Sequence, residues 1–139
     1  METLFSDHFN DILYNKENGI YYHIAKSTTA QMTEAEFKHM LLNWKQLMIS
    51  CNPQWILIDS LNSHFPISPS LQTWIVQNIT MPVLAIGSVV KYFFVLPEEF
   101  ISRLSVSQFT DEANNVSQEG KIRYFSSREA AEIAITSKD

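Results

Sequence analysis

Apolar and polar residues alternate in steps of two early in the chain. Ile20, Tyr22 and Ile24 interleave with Tyr21, His23 and Ala25, which predicts a strand over 20–25 with one buried face and one semi-polar face. Residues 9–14 read as its hairpin partner across Asn15-Lys16-Glu17-Asn18-Gly19, whose Asn-Gly pair tolerates the positive φ of a tight turn. The period then changes. Phe37, Met40, Leu41, Trp44, Leu47, Met48 and Cys51 recur at helical spacing behind Thr33-Glu34-Ala35-Glu36, a capping-box sequence, and Asn52-Pro53 ends the helix. Trp55-Ile56-Leu57-Ile58 has no polar alternation, as expected of a strand covered on both sides in the middle of a sheet.

Beyond that strand a helix is expected over 69–79, with Leu71, Trp74, Ile75 and Ile79 on its inner stripe. Thr80-Met81-Pro82 reads as the restart of a short helix, with Pro82 at its first position and Gly87 as a left-handed stop, in preference to a strand at 83–86. KYFFVL, residues 91–96, is a second buried strand stopped by Pro97. Helix in two pieces is expected over 98–116, a last strand over 121–125, and a final helix through AAEIAI behind a capping box at Ser126-Ser127-Arg128-Glu129. The order β-β-α-β-α-(α)-β-α-β-α implies one α/β domain over residues 1–139. Its mixed sheet would carry an N-terminal hairpin followed by β-α units with helices covering the sheet.

Composition removes several function classes. Ten Lys+Arg against fifteen Asp+Glu leave a charge of −5 with no basic cluster, so neither nucleic acid nor an anionic membrane surface is an expected partner. With Cys51 as the single cysteine, no internal disulfide or CxxC motif can form. METLFSDHFND lacks the pattern of a signal peptide, and no apolar run is long enough to insert in a membrane, so a cytoplasmic location is expected. His8, His23, His39 and His64 show no ligand-pair spacing, and P-loop and GxGxxG patterns are absent, so no metal or cofactor is expected.

The candidate chemistry sits in WILIDSLNSHFPISPSLQTWI, residues 55–75. Asp59 and Ser60 end the apolar strand, His64, Ser68 and Ser70 follow in a loop, and Pro69 opens a helix. A carboxylate at the carboxyl end of a central parallel strand stands where open α/β sheets bind ligands, although an Asp there also commonly accepts from loop amides. Ser68 ahead of Pro69 has the form of an N-cap followed by Pro at N1; a phosphate on Ser68 or Ser70 would alternatively be favoured by the helix dipole. Asp59, His64 and Ser68 include the residue types of an acyl-transfer triad, but the GxSxG elbow and a glycine-rich oxyanion loop are absent.

The order of elements resembles the STAS family, the SpoIIAA-like anti-sigma-factor antagonists. The likeness is carried by WILID leading into NSHFPISPSL, the helix LQTWI, and the closing pair IRYFSSREAAEIAI. It spans roughly residues 10–136. In the antagonist branch an Asp-Ser-Ser-Gly type segment holds the phosphorylated serine. Here that segment falls on Ile67, Ser68, Pro69 and Ser70, with Ile in place of the acid and no glycine, nearer to members without an assigned activity. The resemblance implies a non-enzymatic interaction or regulatory domain that binds a protein partner or itself through Asp59, Ser60, His64, Ser68 and Ser70. The alternative is a carrier of a small apolar ligand, as in the related CRAL-TRIO fold, with Met40, Leu41, Trp44, Leu47 and Met48 lining a pocket; core filling is the competing account of that stripe.

Overall fold

The structure, a computed structural model, describes residues 1–85, 91–97 and 122–136. Six strands form one mixed sheet in sequence order: β1 (Glu2–Ser6), β2 (Asn10–Asn15), β3 (Ile20–Ala25), β4 (Trp55–Asp59), β5 (Lys91–Val95) and β6 (Ile122–Phe125). The first three are antiparallel, and β3 through β6 are parallel. The domain is α/β, and Trp55–Asp59 lies mid-sheet as its unbroken apolar run requires.

Strand β1 departs from the expected order. It is a largely exposed edge strand whose register shifts between Thr3 and Phe5, so its residues carry no clean period of two. The hairpin turns on Gly19, whose φ is +75° and whose N–H donates to the Asn15 carbonyl at 2.9 Å.

Helix α1 (Glu34–Cys51) fills the connection from β3 to β4. Its capping box forms in full: Glu36 N–H donates to the Thr33 hydroxyl at 3.1 Å, and Thr33 N–H donates to the Glu36 carboxylate at 2.8 Å. Asn52, at φ 53° and ψ 57°, closes it in the left-handed conformation. Helix α2 (Pro69–Ile75) continues without a break through a π-helical turn, Val76–Thr80, into α3 (Met81–Ala85). The expected restart at Thr80 is therefore a widened turn inside one continuous helix. Its cause is Pro82, which has no N–H for the Asn78 carbonyl and whose ring crowds it. Lys45 Nζ donates to that carbonyl at 3.0 Å from α1.

Helix α4 (Arg128–Thr136) begins one residue later than the expected capping box requires. Its cap is Ser127, whose hydroxyl accepts from Ala130 N–H at 3.1 Å. The third helical position is thus Ala130, which has no carboxylate to reach back with. Gly87, the helical pieces at 98–116, Gly120 and Lys121 lie outside the described residues.

Side-chain alternation divides the sheet into two covered faces. On one, Ile20, Tyr22, Leu57, Phe93 and Val95 pack against Ala131 and Ile135 of α4. On the other, Tyr21, Ile56 and Tyr92 pack beneath α1 and the long helix, against Trp44, Met48, Ile75, Ile79 and Val83. The face expected to be semi-polar is consequently buried: Tyr21 is fully covered and donates its hydroxyl to the Trp44 carbonyl at 2.8 Å, while His23 is 4% exposed.

Candidate functional site: a cavity above the strand ends

Three rungs of side chains cross the sheet on the face beneath α1. The lowest runs Tyr14, Tyr21, Ile56, Tyr92, Ile122, and the next runs Ile12, His23, Ile58, Phe94, Tyr124. Above them, Ala25 ends β3 and stands opposite Asn10. Ser60 and Leu96 immediately follow β4 and β5. Among the described residues, the helices do not close down on these upper rungs. A half-enclosed cavity of about 490 Å³ remains at the carboxyl ends of the parallel strands.

The sheet contributes His23, Ala25, Ile58, Tyr92, Phe94 and Tyr124 to the wall. Helix α1 adds Phe37, Met40, Leu41 and Trp44, and the long helix adds Gln72, Ile75, Ile79 and Thr80. Of the five residues anticipated for an apolar pocket, Met40, Leu41 and Trp44 line it, whereas Leu47 and Met48 belong to the packed core. Among the described residues the lining has no carboxylate, ammonium or guanidinium. A cavity of this size and character lies within the range of small-molecule sites, about 300–1,000 Å³.

The loop that follows β4 forms the remaining wall through Ser63, Phe65, Pro66 and Ile67. Two contacts hold it there. Phe65 stacks flat on Phe37, with centroids 4.4 Å apart and planes 8° from parallel, and His64 N–H donates to the buried Thr29 hydroxyl at 3.0 Å. Thr29 belongs to the 3₁₀ turn Ser27–Gln31 and itself donates to the Lys26 carbonyl at 2.8 Å.

The five sequence-nominated residues divide by location. Asp59 is buried on the opposite face of the sheet, in register with Ile24 and Val95. One of its carboxylate oxygens accepts from Leu61 N–H at 3.1 Å, and the other accepts from Arg128 Nε at 3.1 Å, tying β4 to the start of α4. Ser60 lines the cavity and donates its N–H to the Val95 carbonyl. The His64 side chain is exposed. Ser68 caps α2 by accepting from Leu71 N–H at 3.2 Å, and its hydroxyl lies 3.2 Å from that of Ser70. No hydrogen bond among the described residues joins Asp59, His64 and Ser68.

The structure brings together a different trio. Trp44 stands over the floor with its ring 6.4 Å from His23 and 6.5 Å from Tyr92. The His23 Nε2, Trp44 Nε1 and Tyr92 hydroxyl are buried with no hydrogen-bond partner, as is the Asn10 side-chain amide beside Ala25. Burial lowers the His23 pKa to about 4, so its imidazole is neutral at pH 7, and burial raises the Tyr92 phenol above its ordinary range. The sequence signal for this trio was polar aromatic residues in otherwise core-facing positions of two strands and a helix. Their meeting is a product of register and could not be read from spacing.

No protein-family model, curated protein or solved structure matches this chain. Among the described residues, no group of three His, Cys, Asp or Glu side chains is placed to hold a metal ion. No described helix is long and apolar enough to cross a membrane. A second depression, of about 390 Å³ at the β1–β2 margin around Met1, Tyr14 and Glu17, is more open, mixes polar and apolar surface, and gathers no comparable set of side chains.

Proposed function

We propose that this protein is a non-enzymatic binder of a small, mainly apolar molecule, working in the cytoplasm. The carrying observation is the half-enclosed, aromatic-lined cavity at the carboxyl ends of β3 to β6. Open α/β sheets receive ligands at that edge because loops and helix ends there form a crevice that regular packing leaves unfilled. The loop at 60–68 serves as the cover, and holding it in place accounts for its polar residues. Asp59 anchors its root, His64 pins its middle through the backbone, and Ser68 caps the helix it enters.

Naphthalene, an uncharged aromatic probe, is expected to bind the full chain saturably in calorimetry. Ala25→Leu, which extends a side chain into the cavity, is expected to weaken that binding at least 10-fold while the thermal midpoint holds or rises. Saturable binding that Ala25→Leu leaves untouched would place the ligand elsewhere and remove the reading. Protein recognition is a second reading. Leu61, His64, Ser68 and Ser70 are exposed on the same cover, and Ile67, which also lines the cavity, is 42% exposed, so a partner bound there could sense whether the cavity is filled.

A further inference from the structure

Buried polar groups in folded proteins are almost always hydrogen-bonded, and leaving one unsatisfied costs about 1–3 kcal/mol. Here such groups collect in one place. Of the four described residues with unpartnered buried side-chain atoms, His23, Trp44 and Tyr92 are lining residues of the same cavity, with neighbouring rings. An apolar cavity built only to exclude water would be expected to carry Leu, Ile or Phe at these positions.

The chemistry of the three atoms defines what would satisfy them. An indole N–H donates only, and a phenol donates as readily as it accepts, so Trp44 and Tyr92 together call for an acceptor. Imidazole Nε2 serves in either sense according to its tautomer. The acceptor is not an anion: no cationic side chain lines the cavity among the described residues, and Lys45 is directed to the Asn78 carbonyl. A carboxylate would bear the full penalty of leaving water in such surroundings.

We propose, building on the ligand-binding reading, that the ligand is uncharged and carries one neutral oxygen, a carbonyl or hydroxyl, held by Trp44 Nε1 and the Tyr92 hydroxyl beside His23. Its apolar body fills the space toward Ile58, Phe94 and Phe65. The three polar atoms are shielded from water, so the ligand oxygen engages them through a small turn of these rings toward the cavity.

Naphthalene, 2-naphthol and 2-naphthoate share one ring system and separate the claims. Titrated into the ¹⁵N-labelled full chain at pH 7.5, 2-naphthol is expected to bind at least 10-fold tighter than either of the others. It should also move the Trp44 indole N–H resonance downfield, that resonance being assigned by its loss in Trp44→Phe. Tyr92→Phe removes only an oxygen without a partner and is expected to retain the fold. It should narrow the gap between 2-naphthol and naphthalene at least 3-fold, because 2-naphthol binds less tightly. Equal binding of naphthalene and 2-naphthol, an unmoved Trp44 resonance, an unchanged gap in Tyr92→Phe, or tightest binding of 2-naphthoate would each overturn the oxygen anchor and leave the cavity reading standing. No binding of any of the three would overturn both.

Discussion

Single residues in this protein are placed by conflicts with simple rules. Gly19 is one: its φ of +75° suits glycine, and an added Cβ would stand 3.2 Å from Gln54 Cβ. Gly19→Ala is therefore expected to cost more than about 1 kcal/mol in urea unfolding, since strain and crowding add. His23 is another. Burial favours its neutral form, with a pKa of about 4 in the folded chain against about 6.5 when unfolded. Between those values the unfolded chain binds more protons, so stability falls as pH drops from about 6.5 toward 4 and changes no further on this account below that. The loss is on the order of 3 kcal/mol. Urea midpoints compared at pH 7 and pH 5 should show the fall in the native chain and a clearly smaller one in His23→Gln. Asp11 acts in a separate, lower window. Its carboxyl is held below the usual range mainly by the Ser6 hydroxyl bond, so its contribution is lost only as pH falls through that lowered value.

At the scale of elements, helix ends and turns are local chemistry and were legible from the sequence. Thr33 with Glu36, Asn52 with Pro53, and Ser68 with Pro69 all form the caps their residue types imply. Ser68→Ala is expected to cost about 1 kcal/mol, with Ser70→Ala within about 0.5 kcal/mol of the native chain, as chemical unfolding would measure. The cap of α4 shifted by one residue because Ser126 and Ser127 offer equal local chemistry, and the meeting of Asp59 with Arg128 fixes where that helix starts. The π-helical turn escaped the sequence reading for a related reason: Pro82 signals a helix start as readily as a tolerated defect. What makes it tolerable is Lys45, far away in sequence. Lys45→Met is expected to destabilise by about 1 kcal/mol in the native chain and by less in Pro82→Ala, where the helix regains its own N–H, a coupling that a double-mutant cycle reads directly.

For the whole molecule, the two sheet faces differ in how they are closed. The face under α4 is sealed by packing and by two polar ties, Arg128 to Asp59 and Tyr22 to Glu132 at 2.6 Å. The face under α1 is packed at one end and, among the described residues, holds the half-enclosed cavity above the strand ends. Arg128→Ala leaves the Asp59 carboxylate, only 11% exposed, with the Leu61 amide alone, and is expected to lower stability by about 1–2 kcal/mol. Because Arg128 lies across the sheet from the cavity and the Asp59–Leu61 bond that roots the cover remains, naphthalene binding should be unaffected by that change, which calorimetry on the folded variant would check. An edge strand such as β1 also belongs to this scale. Among the described residues it pairs only with β2, carries polar Glu2, Thr3 and Ser6, and is recognised as a strand only once a sheet exists for it to join.

The sequence by itself determined the α/β class, the central position of Trp55–Asp59, the covering helix α1 and most helix ends, because each depends on periodicity or on residues within one turn of each other. Only the tertiary structure decided which strand-end residues share a site. A strand's side chains alternate between faces, so Asp59 and Ser60, adjacent in the chain, part to opposite sides of the sheet. Conversely His23, Trp44 and Tyr92 meet from distant parts of the chain, because parallel register sets His23 one rung above Tyr92 across β4 and packing lays α1 over both.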